Sequence, residues 1–98
     1  MKRDSLLITL SPPSGPWENY DVEYEVFYEI LDGCEETGLR PEVSIIDIQC
    51  TEIDGAPKPI SLEASIKRFN DASDEAWTMH ENNELNFSEE IQRHEGLH

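Results

Sequence analysis

Between Val22 and Ile30 the chain alternates without a slip: Val22, Tyr24, Val26, Tyr28 and Ile30 fall on one side, Glu23, Glu25, Phe27 and Glu29 on the other. A period of two sends successive side chains to opposite faces of an extended backbone, so the stretch makes sense as a strand with one dry and one wet face. β-Branched and aromatic residues on the dry side suit a pleated, half-buried surface. Tyr20–Leu31 is therefore read as an antiparallel strand that turns Asp21, Glu23, Glu25 and Glu29 away from the core. Phe27 is the one apolar residue among those acids.

Two more strands flank it in sequence. Leu6–Leu10 is a short apolar run, closed by a segment, Ser11–Pro16, that holds three prolines and so lacks the amide hydrogens a central strand needs. Glu42–Ile53 is a second long strand. Its Ile45, Ile46 and Ile48 break simple alternation, so either both faces are covered at its centre or a bulge resets the pairing. Asp32-Gly33 and Thr37-Gly38 bracket the loop between the long strands, which carries Cys34, Glu35 and Glu36, and Asp54-Gly55 ends the second. Beyond Ser61, a candidate cap, Leu62, Ile66 and Phe69 form a helical stripe. Asp71–Asn83 reads as a second helix opening near Ser73, with Ala76, Trp77 and His80 inward and Asn82-Asn83 as its stop. A third segment starts at Ser88, with Glu89 and Glu90 in its first turn, where they favour the helix dipole. Its apolar anchors are few: Leu85, Phe87, Ile91 and Leu97.

The fold expected is α+β: a small three-stranded antiparallel sheet with one or two C-terminal helices packed on one face. Residues 1–83 would form the single domain, and 84–98 a weakly anchored acidic C-terminal segment.

Charge narrows the function. The 98 residues include 22 Asp and Glu against 7 Lys and Arg, a formal charge of −15. Direct binding to nucleic acid or to an anionic membrane needs the opposite balance. No stretch approaches the roughly 20 apolar residues of a membrane helix. Leu6–Leu10 is too short for a signal-peptide core and runs straight into Ser11-Pro12-Pro13. Cys34 and Cys50 lie too far apart for a short metal or redox motif. A cytoplasmic protein with reduced thiols is expected. The acids are also clustered: eight lie between Trp17 and Leu39 with no Lys or Arg, and eight between Asp71 and Glu95 against Arg93 alone. Carboxylates at i and i+2 of a strand repeat every ~6.5–7 Å, the scale of a phosphate backbone with ~3.4 Å of rise per phosphate on each strand.

Catalytic and metal chemistry find little support. Paired carboxylates act as acid and base only in a concave, partly dry site that separates their pKa values, and a wet strand face supplies none. No glycine-rich phosphate loop occurs. Both cysteines precede every histidine by thirty residues or more, with no local nucleophile signature. His94 and His98, four apart, with His80 as a third region, are the one arrangement suggesting a metal, but Gly96 weakens a helix there. No enzyme, cofactor or metal is expected.

The stretch Tyr20-Asp21-Val22-Glu23-Tyr24, a loop, then Arg40-Pro41-Glu42-Val43-Ser44-Ile45-Ile46 ending at Asp54-Gly55 resembles a hairpin pattern of small phage and prophage proteins. Small size, acidity and a β-rich core likewise resemble phage-encoded inhibitors of host defence, including anti-CRISPR and DNA-mimic proteins. The resemblance spans little more than a third of the chain and transfers no functional residue. It implies a non-enzymatic inhibitor that masks the nucleic-acid-binding surface of a basic partner. Asp21, Glu23, Glu25, Glu29, Glu35 and Glu36 are the candidate partner-binding acids, and Phe27 the apolar contact. Trp17, Tyr20 and Trp77 are further candidate anchors, Trp77 being the one best suited to the core. Two alternatives stand beside this. One is an immunity protein that neutralises a basic nuclease toxin, the other an adaptor or structural protein whose acidity serves solubility. An exposed edge strand would also allow a homodimer.

Overall fold

The computed structural model describes residues 2–31, 33, 38 and 41–96. Its elements run β1 (Lys2–Leu10), β2 (Val22–Leu31), β3 (Glu42–Ile53), β4 (Ala56–Pro57), α1 (Glu63–Glu81) and α2 (Phe87–Glu95). The class is α+β, and the four strands form an antiparallel meander in the order β1-β2-β3-β4. The fourth strand corrects the expected three. Asp54 and Gly55, both at positive φ, make a two-residue turn that folds Ala56–Pro57 back onto Glu52 and Ile53. At the other end of the sheet β1 is longer than its apolar core, because Lys2–Ser5 continue the pairing with β2.

β2 keeps its alternation. Val22, Tyr24, Val26, Tyr28 and Ile30 are buried under the helices, together with Ile8 from β1 and Ile48, Cys50 and Ile53 from β3. β3 needs two bulges to do the same. Its register with β2 shifts at Ile46 and Thr51, each an extra residue, so Ile45 and Ile48 both reach the helix side. Of the two arrangements open for the isoleucine run, the bulge is the one found.

The two helical stretches expected between Ser61 and Asn83 are one continuous helix, α1, which buries Phe69, Ala72, Ala76 and Met79 along one stripe. Ser73 opens no second helix. Its hydroxyl donates to the Phe69 carbonyl at 2.9 Å and accepts the Cys50 N–H at 2.7 Å, tying mid-helix to β3. Nor does Ser61 cap the first turn. Leu62 holds that position at φ 72° without a side-chain bond, and its side chain is exposed. The stop at Asn82-Asn83 is as expected.

Helix α2 begins at Phe87 rather than Ser88. Asn86 caps it by accepting the Glu89 N–H at 3.1 Å and returning an amide hydrogen to Glu89 Oε2 at 2.8 Å. Gly96 closes it in the left-handed region. The segment 84–98, expected as weakly anchored, brings Leu85, Phe87 and Ile91 into the same core, the last two fully buried. The Phe87 ring meets Tyr24 edge-to-face at 5.4 Å. At the far end Glu95 accepts from the Tyr28 hydroxyl and from Lys2 Nζ at 2.9 Å, so α2 is tied to both β1 and β2. Leu97 and His98 lie outside the described residues.

If α2 is integral to the core, Ile91→Ala should destabilise the whole domain by about 2–5 kcal/mol. Urea unfolding followed by both tryptophan fluorescence and far-UV circular dichroism checks this. One shared transition moved to lower urea is expected, and an unchanged midpoint would mean that α2 adds nothing to the core.

Candidate functional site

The helices cover one face of the sheet and leave the other open. On that open face β2 presents Glu23, Glu25, Phe27 and Glu29. Antiparallel register puts directly opposed residues on the same face. From β1 these are Thr9, Leu7, Ser5 and Arg3, and from β3 Glu52, Gln49, Asp47 and Ser44. Glu42, opposite Leu31, joins them at the end of the pair. Of the expected strand-face acids Glu23, Glu25 and Glu29 are thus brought together, without Asp21, and Glu42, Asp47 and Glu52 are added to them. These three were missed because the β3 alternation is broken in sequence, and only the bulges reveal which of its residues face outward. Glu23 and Glu52 stand directly opposite one another, a like-charge pair that costs stability.

Glu23, Glu25 and Glu29 are half-buried and Asp47 is exposed, and each is held by neighbours. Glu23 Oε1 accepts from Thr51 Oγ1 at 2.8 Å, and Glu25 Oε2 from Ser5 Oγ at 3.2 Å. Glu29 Oε2 lies 3.3 Å from Arg3 Nε. Asp47 accepts from the Ile48 N–H at 2.9 Å and from Gln49 Nε2 at 3.0 Å. These bonds fix where the negative charge sits and leave most of it unneutralised, since Arg3 is the one cation among the strand residues named on this face.

Phe27 sits among these acids with no helix over it. It helps line an open hollow of about 550 Å³ with Arg3, Ser5, Ile46, Asp47 and Gln49. The bulge residue Ile46 is 48% exposed, and Leu7, diagonal to Phe27, is 58% exposed. An apolar seam therefore crosses the acidic face, and neither Leu7 nor Ile46 was marked by the alternation of β2 alone.

The other candidates fall elsewhere. Asp21 precedes β2 and binds locally: its N–H donates to Asp54 Oδ1 at 2.9 Å and its Oδ1 accepts from Ser11 Oγ at 3.2 Å. Glu35 and Glu36, with Cys34, lie outside the described residues. Trp17 is buried, which corrects its reading as an interface anchor. Trp77 is partly buried against the core, and Tyr20 is exposed with the Arg68 guanidinium 5.9 Å from its ring centroid. In the second acidic run Glu89 and Glu90 pair with Arg93, and Asp71 with Lys67. The Tyr28 hydroxyl, and then Lys2, hold the Glu95 carboxyl below its ordinary range. The strand run is the one gathered on a single open surface.

Ionisable groups under the helices behave as core. Burial pushes the Cys50 thiol up to about 11, and raises Tyr24 and Tyr28 well above the usual tyrosine range. His80 is half-buried beside the rings of Trp77 and Phe87. No group of three or more His, Cys, Asp or Glu among the described residues is placed to hold a metal ion. No helix among them is long and apolar enough to cross a membrane. Comparison with protein-family models, curated proteins and solved structures finds no match to the chain.

The raised thiol sets a pH limit. Above its ordinary value of 9.0 the unfolded chain releases the Cys50 proton while the folded chain keeps it to about 11. Stability should therefore be complete below pH 9 and fall across pH 9–11, by on the order of 2–3 kcal/mol from this group. Melting curves at pH 7, 9 and 10.5 check the sign, and a C50A variant should lose part of the dependence, the tyrosines supplying the rest.

Proposed function

We propose that this protein is a non-enzymatic acidic inhibitor that binds a basic nucleic-acid-handling protein through the open face of its sheet, in the manner of a nucleic-acid mimic. The observation that carries the reading is one surface: Glu23, Glu25, Glu29, Glu42, Asp47 and Glu52 around Phe27, with Arg3 as their nearby cation. Carboxylates held at fixed positions present a regular array of negative charge, as a phosphate backbone does. Their mutual repulsion, sharpest between Glu23 and Glu52, is relieved when Lys or Arg of a partner comes between them. The seam of Leu7, Phe27 and Ile46 gives the same face a desolvatable centre, which charge alone lacks. On this reading the protein works in the cytoplasm against a host defence protein, and neither metal nor cofactor takes part.

The test is capture from nuclease-treated bacterial lysate on the immobilised domain, eluted by a salt gradient and, in parallel, by duplex DNA. One basic nucleic-acid-binding protein released by moderate salt and displaced by DNA is expected. Charge reversal of Glu23, Glu25 and Glu29 to Lys should weaken that complex by at least about 100-fold, roughly 3 kcal/mol, with the far-UV spectrum unchanged. A secreted-type nuclease toxin as the captured protein would replace mimicry with immunity. A complex that survives high salt, or one indifferent to the triple reversal, would remove the open face from the interaction and leave the adaptor reading.

A further inference from the structure

The two edges of the sheet are finished differently. Along the outer side of β3 the chain supplies its own partners. Ser73 Oγ takes the Cys50 N–H at 2.7 Å, Asp47 Oδ1 that of Ile48 at 2.9 Å, and the Thr51 carbonyl accepts from Lys58 N–H at 2.9 Å. Beyond it β4 adds two residues, one of them a proline. The opposite edge is β1, nine residues long, which pairs with β2 and with no other strand among those described.

One contact shows which backbone groups of β1 face away from β2, and like the Asp47–Ile48 bond on β3 it is a local one that an added strand must displace. The Ser5 N–H bonds Asp4 Oδ1 at 2.8 Å, so it points away from β2. Hydrogen-bonding direction alternates along an antiparallel strand, so Arg3, Leu7 and Thr9 turn their amides and carbonyls outward as well. The other side of the sheet agrees. Ile48 turns its N–H away from β2, which leaves its partner Val26 to bond toward Leu6 of β1.

We propose that the β1 edge pairs with β1 of a second copy of this chain, antiparallel, about a two-fold axis at Leu7, making one continuous eight-stranded sheet. Self-complementarity selects this register. Leu7, 58% exposed, packs against the partner's Leu7 at the axis, and Ser5 faces the partner's Thr9 on the same side. Asp4 lies opposite the partner's Leu10, so no like charges are directly opposed within the paired stretch. Charge also favours a second copy at this flank. Lys2 pairs with Glu95, Arg3 with Glu29, and Arg93 with Glu89 and Glu90, so part of the acid on the β1 side is already neutralised within the chain. Glu90, Arg93 and His94 of α2 line a groove of about 350 Å³ beside Leu6–Leu10. The two-fold sets this groove beside the same groove of the second copy.

The dimer does not rest on the mimicry reading, though both use Leu7, and it has the opposite salt response. Two chains of like net charge repel at long range, so added salt strengthens their association, whereas it weakens a complex of acid with base.

Sedimentation equilibrium of the full chain at 50 and 500 mM NaCl tests it. A monomer–dimer equilibrium whose affinity rises at least about fivefold with salt is expected. Leu7→Lys, an exposed position, should weaken the dimer more than tenfold with an unchanged far-UV spectrum. A second variant needs no loss of function. In a C34S background, Leu7→Cys should form an interchain disulfide under mild oxidation, because residues facing across a bonded antiparallel pair lie ~5.5 Å apart at Cα. Gln49→Cys on β3 should not. A monomer at ~100 μM at both salt concentrations, a dimer indifferent to Leu7→Lys, or equal cross-linking from the β3 position would each overturn the proposal.

Discussion

Everything in this domain depends on taking one face of β2 out of water. Val22, Tyr24, Val26 and Tyr28 are 0–1% exposed, in a strand paired on both sides and roofed by two helices. Side chains of this kind contribute about 1.5–3 kcal/mol each when fully buried, a large share of what a chain this small can muster. Burial of Tyr28 also demands an acceptor for its hydroxyl, and Glu95 provides it from the last turn of α2. The C-terminal helix is thereby held at both ends of the sheet's dry face, by the Tyr24–Phe87 ring contact and by the Glu95 cluster.

The same constraint decides the electrostatics. A strand that commits its even positions to the core commits its odd positions to the opposite face, so the acids of β2 have one place to go. The helices cannot cover that face without burying charge. Cross-strand donors from Ser5, Thr51 and Arg3 steady the carboxylates, but exposed ion pairs contribute ~0–1 kcal/mol and do not erase the repulsion. What remains is an open, preorganised negative surface with an apolar seam. That surface is what a cationic partner would meet, and its cost in self-repulsion is what such a partner would recover.

Local pattern failed where tertiary partners redirected a residue. Ser73 has the chemistry of a cap, yet in mid-helix it bonds back to Phe69 and outward to Cys50, so α1 runs through it. The last helix starts at Phe87 instead of Ser88 because Asn86 caps it, its side chain satisfying Glu89 reciprocally. Trp17 follows a proline-rich stretch that reads as surface, but it folds down into the core. Of the candidate site, Glu23, Glu25, Phe27 and Glu29 were legible because they lie on an unbroken period of two. Asp47, Glu52 and Ile46 were not, since each owes its orientation to a bulge whose position is set by the neighbouring strand.

By itself, then, the sequence determined the central strand, the two-sidedness of the sheet, the α+β class and the acidity of the exposed face. Each follows from short-range periodicity and charge, which act on residues a few places apart. The tertiary structure alone decided the fourth strand, the single long α1, the anchoring of α2 and the cross-strand company of each acid. It also decided which edge is left unpaired, because Ser73 and β4 complete the β3 edge while no further strand among those described meets β1. Those outcomes depend on contacts between residues far apart in the chain, whose geometry no local pattern encodes.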